Sequence, residues 1–345
     1  GLAVINVFNN DLHGSDDEAI NIEDRRDDDE DFDGPDDSVL VCYVGHNLAR
    51  NGSDGSDGAI ELQYRADNGA FLVERNFTGG GGQDSSEVGI ECETQASSLR
   101  NYVRIANNVA TLGSGGGFLW DPYGSFPQLV NNTSAYAGQY SNNHGFENDT
   151  DADDGDDQAF VLNCISSHSG GGDVDRDGGV SPYYTLIRDE LAPYGLGNIG
   201  GEPWYAKGIQ ELNTFGSGPE AFSDLFTLMS TSPAVDAGHP DSRYDDPDGS
   251  RNDMGAYGGP GAGPLGLVSQ GTDTPLRYIG IFPAVDLFTG AALPADAETL
   301  WFGFNQPVDP GSAASQIEVG NDGLPVPGTF TVEAGGHMVR FEPTT

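Results

Sequence analysis

The run Asp173-Val174-Asp175-Arg176-Asp177-Gly178-Gly179-Val180-Ser181 is where residue types and spacing point most directly to chemistry. Carboxylates at alternate positions, followed by glycines that let the chain turn, bring hard oxygens toward one point, as Ca2+ requires. A second oxygen-rich stretch is Asp246-Pro247-Asp248-Gly249-Ser250-Arg251-Asn252-Asp253. Asp246, Asp248 and Asp253 could share a cation there. The same residues equally suit a structural turn, with Gly249 supplying φ > 0 and Asp253 pairing with Arg251 or capping the turn. The six histidines are scattered singly and give no imidazole metal site. Cys42, Cys92 and Cys164 lack CxxC spacing. They read as apolar filling of a core, the alternative being one disulfide and a free thiol.

Catalysis is poorly served. Cleavage of an acidic polysaccharide by β-elimination needs cationic side chains or Ca2+ to neutralise the uronate, and a base for the C5 proton. The chain has 14 Lys+Arg against 55 Asp+Glu, a single lysine (Lys207), and its Arg25-Arg26 pair lies in an acidic run. Glycoside hydrolysis needs only two carboxylates at a set separation, but among so many acids no pair stands out. No catalytic residue is assigned. Tyr102, Trp120, Tyr123, Tyr136 and Tyr140 could stack on sugars, yet packing between neighbouring elements is the favoured reading.

Net charge is -41 over 345 residues, which excludes a general binder of nucleic acid or anionic membrane. The acid clusters in Asp27 to Asp37, Asp151 to Asp157, Asp173 to Asp177 and Asp241 to Asp253. Salt adaptation and cation binding compete to explain it; the first two clusters read as solvated loops. No stretch approaches the ~18 apolar residues of a membrane-spanning helix. Five sequons, at Asn51, Asn76, Asn131, Asn132 and Asn148, are glycosylation candidates on turns.

The elements that must position these residues repeat. A small residue, an apolar residue, any residue and a second large one recur in Ala19-Ile20-Asn21-Ile22, Ala59-Ile60-Glu61-Leu62, Gly89-Ile90-Glu91-Cys92, Gly117-Phe118-Leu119-Trp120 and Gly145-Phe146-Glu147-Asn148. A second series, short apolar stretches ending at Asn10, Asn47, Asn76, Asn108, Asn132 and Asn163, keeps step with the first. Asparagine accepts αL geometry, and stacked asparagines can bond to one another and to turn backbone. Two series in register predict a solenoid whose coils stack to bury one continuous core, with Ile20, Ile60, Ile90, Phe118 and Phe146 on one inward ladder. The series fades after Ser167, and short helices are expected over Tyr184 to Leu191 and Pro219 to Leu228.

Ser232-Pro233-Ala234-Val235-Asp236-Ala237-Gly238 and Arg251-Asn252-Asp253-Met254-Gly255-Ala256-Tyr257-Gly258-Gly259 resemble the closing segment of secreted right-handed parallel β-helix proteins of the pectate-lyase-like kind. Gly197-Asn198-Ile199, Pro203-Trp204-Tyr205 and Phe226-Thr227-Leu228 match its lead-in. Farther on, Tyr278 to Pro283 and Thr299 to Pro310 resemble the opening of a bacterial Ig-like domain, with strands expected over Phe330 to Val332 and Met338 to Phe341. The acidic loop resembles the calcium loop of dockerins and EF-hands. That likeness implies side-chain ligands at Asp173, Asp175 and Asp177, a carbonyl at Gly179 and a ligand at Ser181, direct or through water. It departs at Tyr184, where the family carries an acid.

The expected organisation is all-β: a right-handed parallel β-helix over 1–262, a linker over 263–275 rich in Gly, Pro, Ser and Thr, and an incomplete Ig-like β-sandwich over 276–345. An upstream part, or another subunit, is expected to cover the first coil. The expected function is an extracellular or cell-surface structural or adhesive protein. It would be stiffened by Ca2+ and would meet other protein at its open ends, copies of itself included, a filament being one such assembly. A secreted polysaccharide lyase or glycoside hydrolase is the alternative, since the fold carries both.

Overall fold

The computed structural model describes residues 2–13, 18–23, 39–50, 58–64, 69–79, 88–94, 102–113, 115–122, 127–138, 143–148, 159–176, 179–190, 193–208, 224–267, 276–282, 299–317, 319–321 and 324–344. Three parallel sheets form a β-helix. Sheet A runs Leu2–Phe8, Val39–Gly45, Gly69–Glu74, Tyr102–Ala106, Gln128–Val130, Phe160–Leu162 and Ser181–Tyr183. Sheet B runs from Asp11–His13 through Leu48–Arg50, Phe77–Gly79, Val109–Thr111, Thr133–Ala135, Ile165–Ser167 and Leu186–Ile187 to Ile199–Gly200. Sheet C stacks Ile20–Glu23, Gly58–Tyr64, Val88–Thr94, Gly116–Pro122, His144–Asn148 and Gly172–Val174.

The inward ladder is in register throughout: Ile20 pairs with Ile60, Ile60 with Ile90, Ile90 with Phe118, Phe118 with Phe146, and Phe146 with Val174. The Phe118 and Phe146 rings stack at 5.1 Å. Facing them, sheet A contributes Val44, Val73, Ile105, Leu129 and Val161 to the same core. Stacking is obligatory because one coil cannot cover its own apolar face. The small residue of the repeat has a steric origin. Sheet B is also small inside, and a Cβ added to Gly117 would lie 2.1 Å from Ser134 Oγ and 2.5 Å from the Gly145 carbonyl oxygen. All three cysteines are buried with free thiols, and burial pushes each up to about 12, so core filling is the reading that holds.

The corner between sheets A and B holds the asparagine ladder. Asn47 Oδ1 accepts from the Asn10 backbone N–H, Asn76 Oδ1 from Asn47, Asn108 Oδ1 from Asn76 and Asn132 Oδ1 from Asn108, at 2.9–3.0 Å. Cys164 Sγ, Thr185 Oγ1 and Asn198 Oδ1 continue the column. Two expectations are corrected here. Asn163 is not in this ladder, because Cys164 takes that place. Nor do the ladder asparagines adopt αL: the residue before each does, at Asn9, His46, Arg75, Asn107, Asn131, Asn163 and Tyr184. Bending there turns the preceding side chain outward and aims the ladder side chain along the solenoid.

The coils also extend past Ser167, and 184–190 is not helical: it supplies the αL corner at Tyr184 and the strand Leu186–Ile187. Coil stacking overrides the local helical pattern. The other expected helix lies partly outside the described residues; its end, Leu228, bridges to Tyr205.

Residues 263–267 are no linker. Leu265 is buried with Leu48, Phe77 and Val109 on the outer face of sheet B, and the Gly266 N–H donates to the Arg75 carbonyl at 3.0 Å. Beyond it, Tyr278–Phe282, Leu300–Phe304, Met338–Pro343 and Gly328–Glu333 form a four-stranded antiparallel sheet, which includes both strands expected there. A short helix, Pro310–Gln316, is capped by Asp309, whose carboxylate accepts from Gly311 and Ser312 N–H. This sheet packs on the outside of sheet A through Ile279, Met338 and Trp301 against Val41, Tyr43, Ala70, Leu72 and Tyr102. Arg277 pairs there with Glu74, which also accepts from the Tyr43 hydroxyl at 3.1 Å.

Candidate functional site

The acidic loop splits into two environments. Asp173 lies on the last strand of sheet C and is buried at 2% exposure. Its carboxylate accepts from the Ser169 and Asp189 N–H groups at 3.3 and 2.9 Å. Burial pushes it up to about 7, against the lowering effect of those two donors. Burial and these two backbone donors hold Asp173 inside the fold, which departs from the ligand role that the calcium-loop likeness implied for it. Asp175 and Gly179 are on the turn, where Val180 N–H donates to the Asp175 carbonyl and Gly179 has φ +86. Asp177 lies outside the described residues. Among the described residues, no three His, Cys, Asp or Glu side chains converge as a metal would need.

Ser181 instead lines a cavity of about 720 Å3 at the end of the solenoid, with Arg176, Val180, Pro182, Tyr183, Tyr194 and Leu196. Arg176 reaches Glu190 with both Nε and Nη2, at 2.6 and 2.8 Å. Tyr183 stacks on Phe160 of the coil above at 6.5 Å, while Tyr194 is 85% exposed. Nothing in the repeat announced this cavity. The only available signal was the departure from the repeat itself, with two tyrosines and a proline in a terminal coil.

The Asp246–Asp253 stretch belongs to a strap, residues 234–267, that runs back along the outer corner of sheets A and B. The αL side chains of His46, Arg75, Asn107, Asn131 and Asn163 each take one segment of it. Asn163 Oδ1 accepts from His239 N–H at 2.7 Å, and Asn131 Nδ2 donates to Asn252 Oδ1 and the Asp253 carbonyl at 3.1 and 3.0 Å. Asn107 Nδ2 donates to the Ala256 and Gly258 carbonyls, Arg75 Nε to Gly261, and His46 Nδ1 to Gly266. Close approach explains the strap's glycines: a Cβ on Gly261 would sit 2.3 Å from Asn107 Oδ1. Within the strap, Asp246 accepts from the Asp253 and Gly259 N–H groups, Asp253 from Asp236 N–H, and Asp248 from Ser250. Burial raises Asp246 to about 6 and also raises Asp253, while the Ser250 bonds lower Asp248. The turn reading accounts for all three carboxylates. Arg251 bonds the Gly238 carbonyl rather than Asp253.

The same anchoring removes most glycosylation candidates. Asn76, Asn131, Asn132 and Asn148 are buried, and the amide nitrogens of the first three donate inside the fold, leaving no room for a glycan. Asn51 lies outside the described residues. Of the aromatics, Trp120 is in the core and Tyr102 lies under the antiparallel sheet. Tyr136 stacks on His168 at 4.4 Å, and Tyr123 and Tyr140 are outside the described residues. Glu202 sits 3.4 Å from His168 and 2.8 Å from Arg188. Among the described residues this is the shortest contact between a histidine and a carboxylate, and its members lie outside the described cavity lining. Two of the anchors missed by sequence reasoning were visible as doublets, Asn107-Asn108 and Asn131-Asn132, with one member for the strap and one for the ladder.

No protein-family model matches this chain, and no curated protein sequence matches it either.

Proposed function

We propose that this chain is a rigid structural or adhesive element of an extracellular or cell-surface protein, built on a secreted, pectate-lyase-like β-helix and an Ig-like module. One observation carries the reading. Among the described residues, the ladder asparagines, the strap anchors and Asp173, Asp246 and Asp253 are committed to scaffold. Strap and antiparallel sheet cover the outer faces of two of the three sheets, which suits a stiff rod. The excess of carboxylate keeps such rods from adhering nonspecifically.

Other protein, copies of this chain included, is the proposed partner at the ends of the rod. End-on pairing to sheet A is disfavoured at Ser181–Tyr183, since Pro182 has no N–H to donate. Ca2+ belongs to the proposal only at the 175–181 turn, without Asp173; titration calorimetry that shows no uptake removes it. Electron microscopy of the native protein, paired with a panel of acidic and neutral polysaccharides, tests the function. Extended particles and uncleaved polysaccharide are expected. Compact particles that release unsaturated oligosaccharides would establish a lyase instead, and new reducing ends without unsaturation a glycoside hydrolase.

A further inference from the structure

We propose that the cavity at the end of the solenoid binds a short segment of a neutral glycan. Its volume, about 720 Å3, falls within the ~300–1,000 Å3 of small-molecule sites. Its chemistry narrows the occupant. The lining backbone is largely engaged: the Pro182 and Tyr194 carbonyls accept from Asn198 Nδ2 at 2.8 and 2.7 Å, and the Leu196 carbonyl accepts from Tyr184 N–H at 2.9 Å. With Pro182 lacking an N–H, this edge offers an extended peptide little to pair with.

Recognition therefore falls to side chains. Tyr183 is held against Phe160 and Tyr194 stands free, so two ring faces are available to the apolar C–H face of a sugar. Ser181 and the tyrosine hydroxyls offer hydrogen bonds to sugar hydroxyls. Among the described residues Arg176 is the one charged group in the lining, and Glu190 already neutralises it through a two-point pair. A polyuronate or phosphorylated ligand would find no uncompensated cation there, and it would approach a chain of net charge -41. A neutral hydroxylated ring meets neither obstacle. The site goes beyond the structural role proposed above and does not depend on it.

The test uses the full chain in EDTA, so that Ca2+ plays no part. Cello-, xylo-, manno- and galacto-configured hexasaccharides are titrated by calorimetry, with oligogalacturonate as the acidic control. At least one neutral series should bind, and Tyr194→Ala should weaken it tenfold or more, whereas Tyr194→Phe stays within about threefold. Tyr194 is exposed, so the melting curves of the three proteins should coincide. Absence of binding by all four neutral series, binding of oligogalacturonate alone, or affinity unaffected by Tyr194→Ala would each overturn the proposal. Rod-shaped particles in microscopy would survive any of these results, which keeps this failure distinct from failure of the structural reading.

Discussion

Asn108 is the point at which the ladder is most sharply testable. Its Oδ1 accepts from the Asn76 backbone N–H at 2.9 Å and from Asn76 Nδ2 at 3.0 Å. Its Nδ2 donates to the Val73 and Ala106 carbonyls and to Asn132 Oδ1. In Asn108→Ala, Asn76 Nδ2 keeps the Val44 carbonyl, and Asn132 Oδ1 keeps the Asn108 N–H. The Asn76 N–H keeps nothing, at a residue of 0% exposure. One orphaned buried donor costs about 1–3 kcal/mol, and the weakened carbonyl acceptors add roughly 0.5–1.5 kcal/mol. The expected loss is thus about 2–4 kcal/mol by urea unfolding, with faster hydrogen exchange at the Asn76 amide. Asn108→Thr should lose less than half as much, since a hydroxyl fills the same column at Thr185 and accepts from Cys164 N–H. A loss below about 1 kcal/mol in Asn108→Ala, with the Asn76 amide still protected, would refute the view that the ladder holds the corner.

Three further outcomes are expected. Burial and the Arg75 cation lower His46 to about 4 from 6.5, so the fold holds it neutral. Its contribution is fully present above pH 6.5 and is lost as pH falls toward 4, by about 3 kcal/mol. His46→Asn, which installs the residue used at the equivalent corners Asn107 and Asn131, should flatten that part of a stability–pH curve relative to the parent; unchanged curvature would count against it. Arg277→Ala strands the Glu74 carboxylate, whose side chain is 10% exposed, and should cost about 3–5 kcal/mol of docking of the antiparallel sheet. Trp301 fluorescence reports the release, and Arg277→Met with Glu74→Gln should largely restore it. Gly117→Ala drives a methyl against Ser134 and the Gly145 carbonyl and should cost about 1–3 kcal/mol in urea unfolding, whereas a neutral result would mean the cross-section is wider than described.

Local residue types determined much of this protein. Apolar residues at the spacing of Ile20, Ile60, Ile90, Phe118 and Phe146 can be buried together only if coils stack, so the solenoid and its inward ladder follow from pattern alone. Two of the antiparallel strands near the C-terminal end were expected from the resemblance of Tyr278 to Pro283 and Thr299 to Pro310 to an Ig-like opening. What the pattern could not carry was direction. Asn107 and Asn108 are the same residue type, yet the αL bend at the first sends it to the strap and the second into the ladder. Asp173 and Asp175 share one acidic motif, yet the strand ends at Val174, so the former is buried in the last strand of sheet C and the latter falls on the turn. Composition made 263–267 look like a linker, although Gly263 answers a close approach of the Arg75 side chain and the Gly266 N–H donates to the Arg75 carbonyl. A cavity made by Tyr183 and Tyr194 likewise exists only where the terminal coil meets the loop that crosses it. Periodicity encodes which residues are buried together, because burial repeats with the coil; the partner of each polar group depends on contacts between distant segments, and only the folded chain decides those.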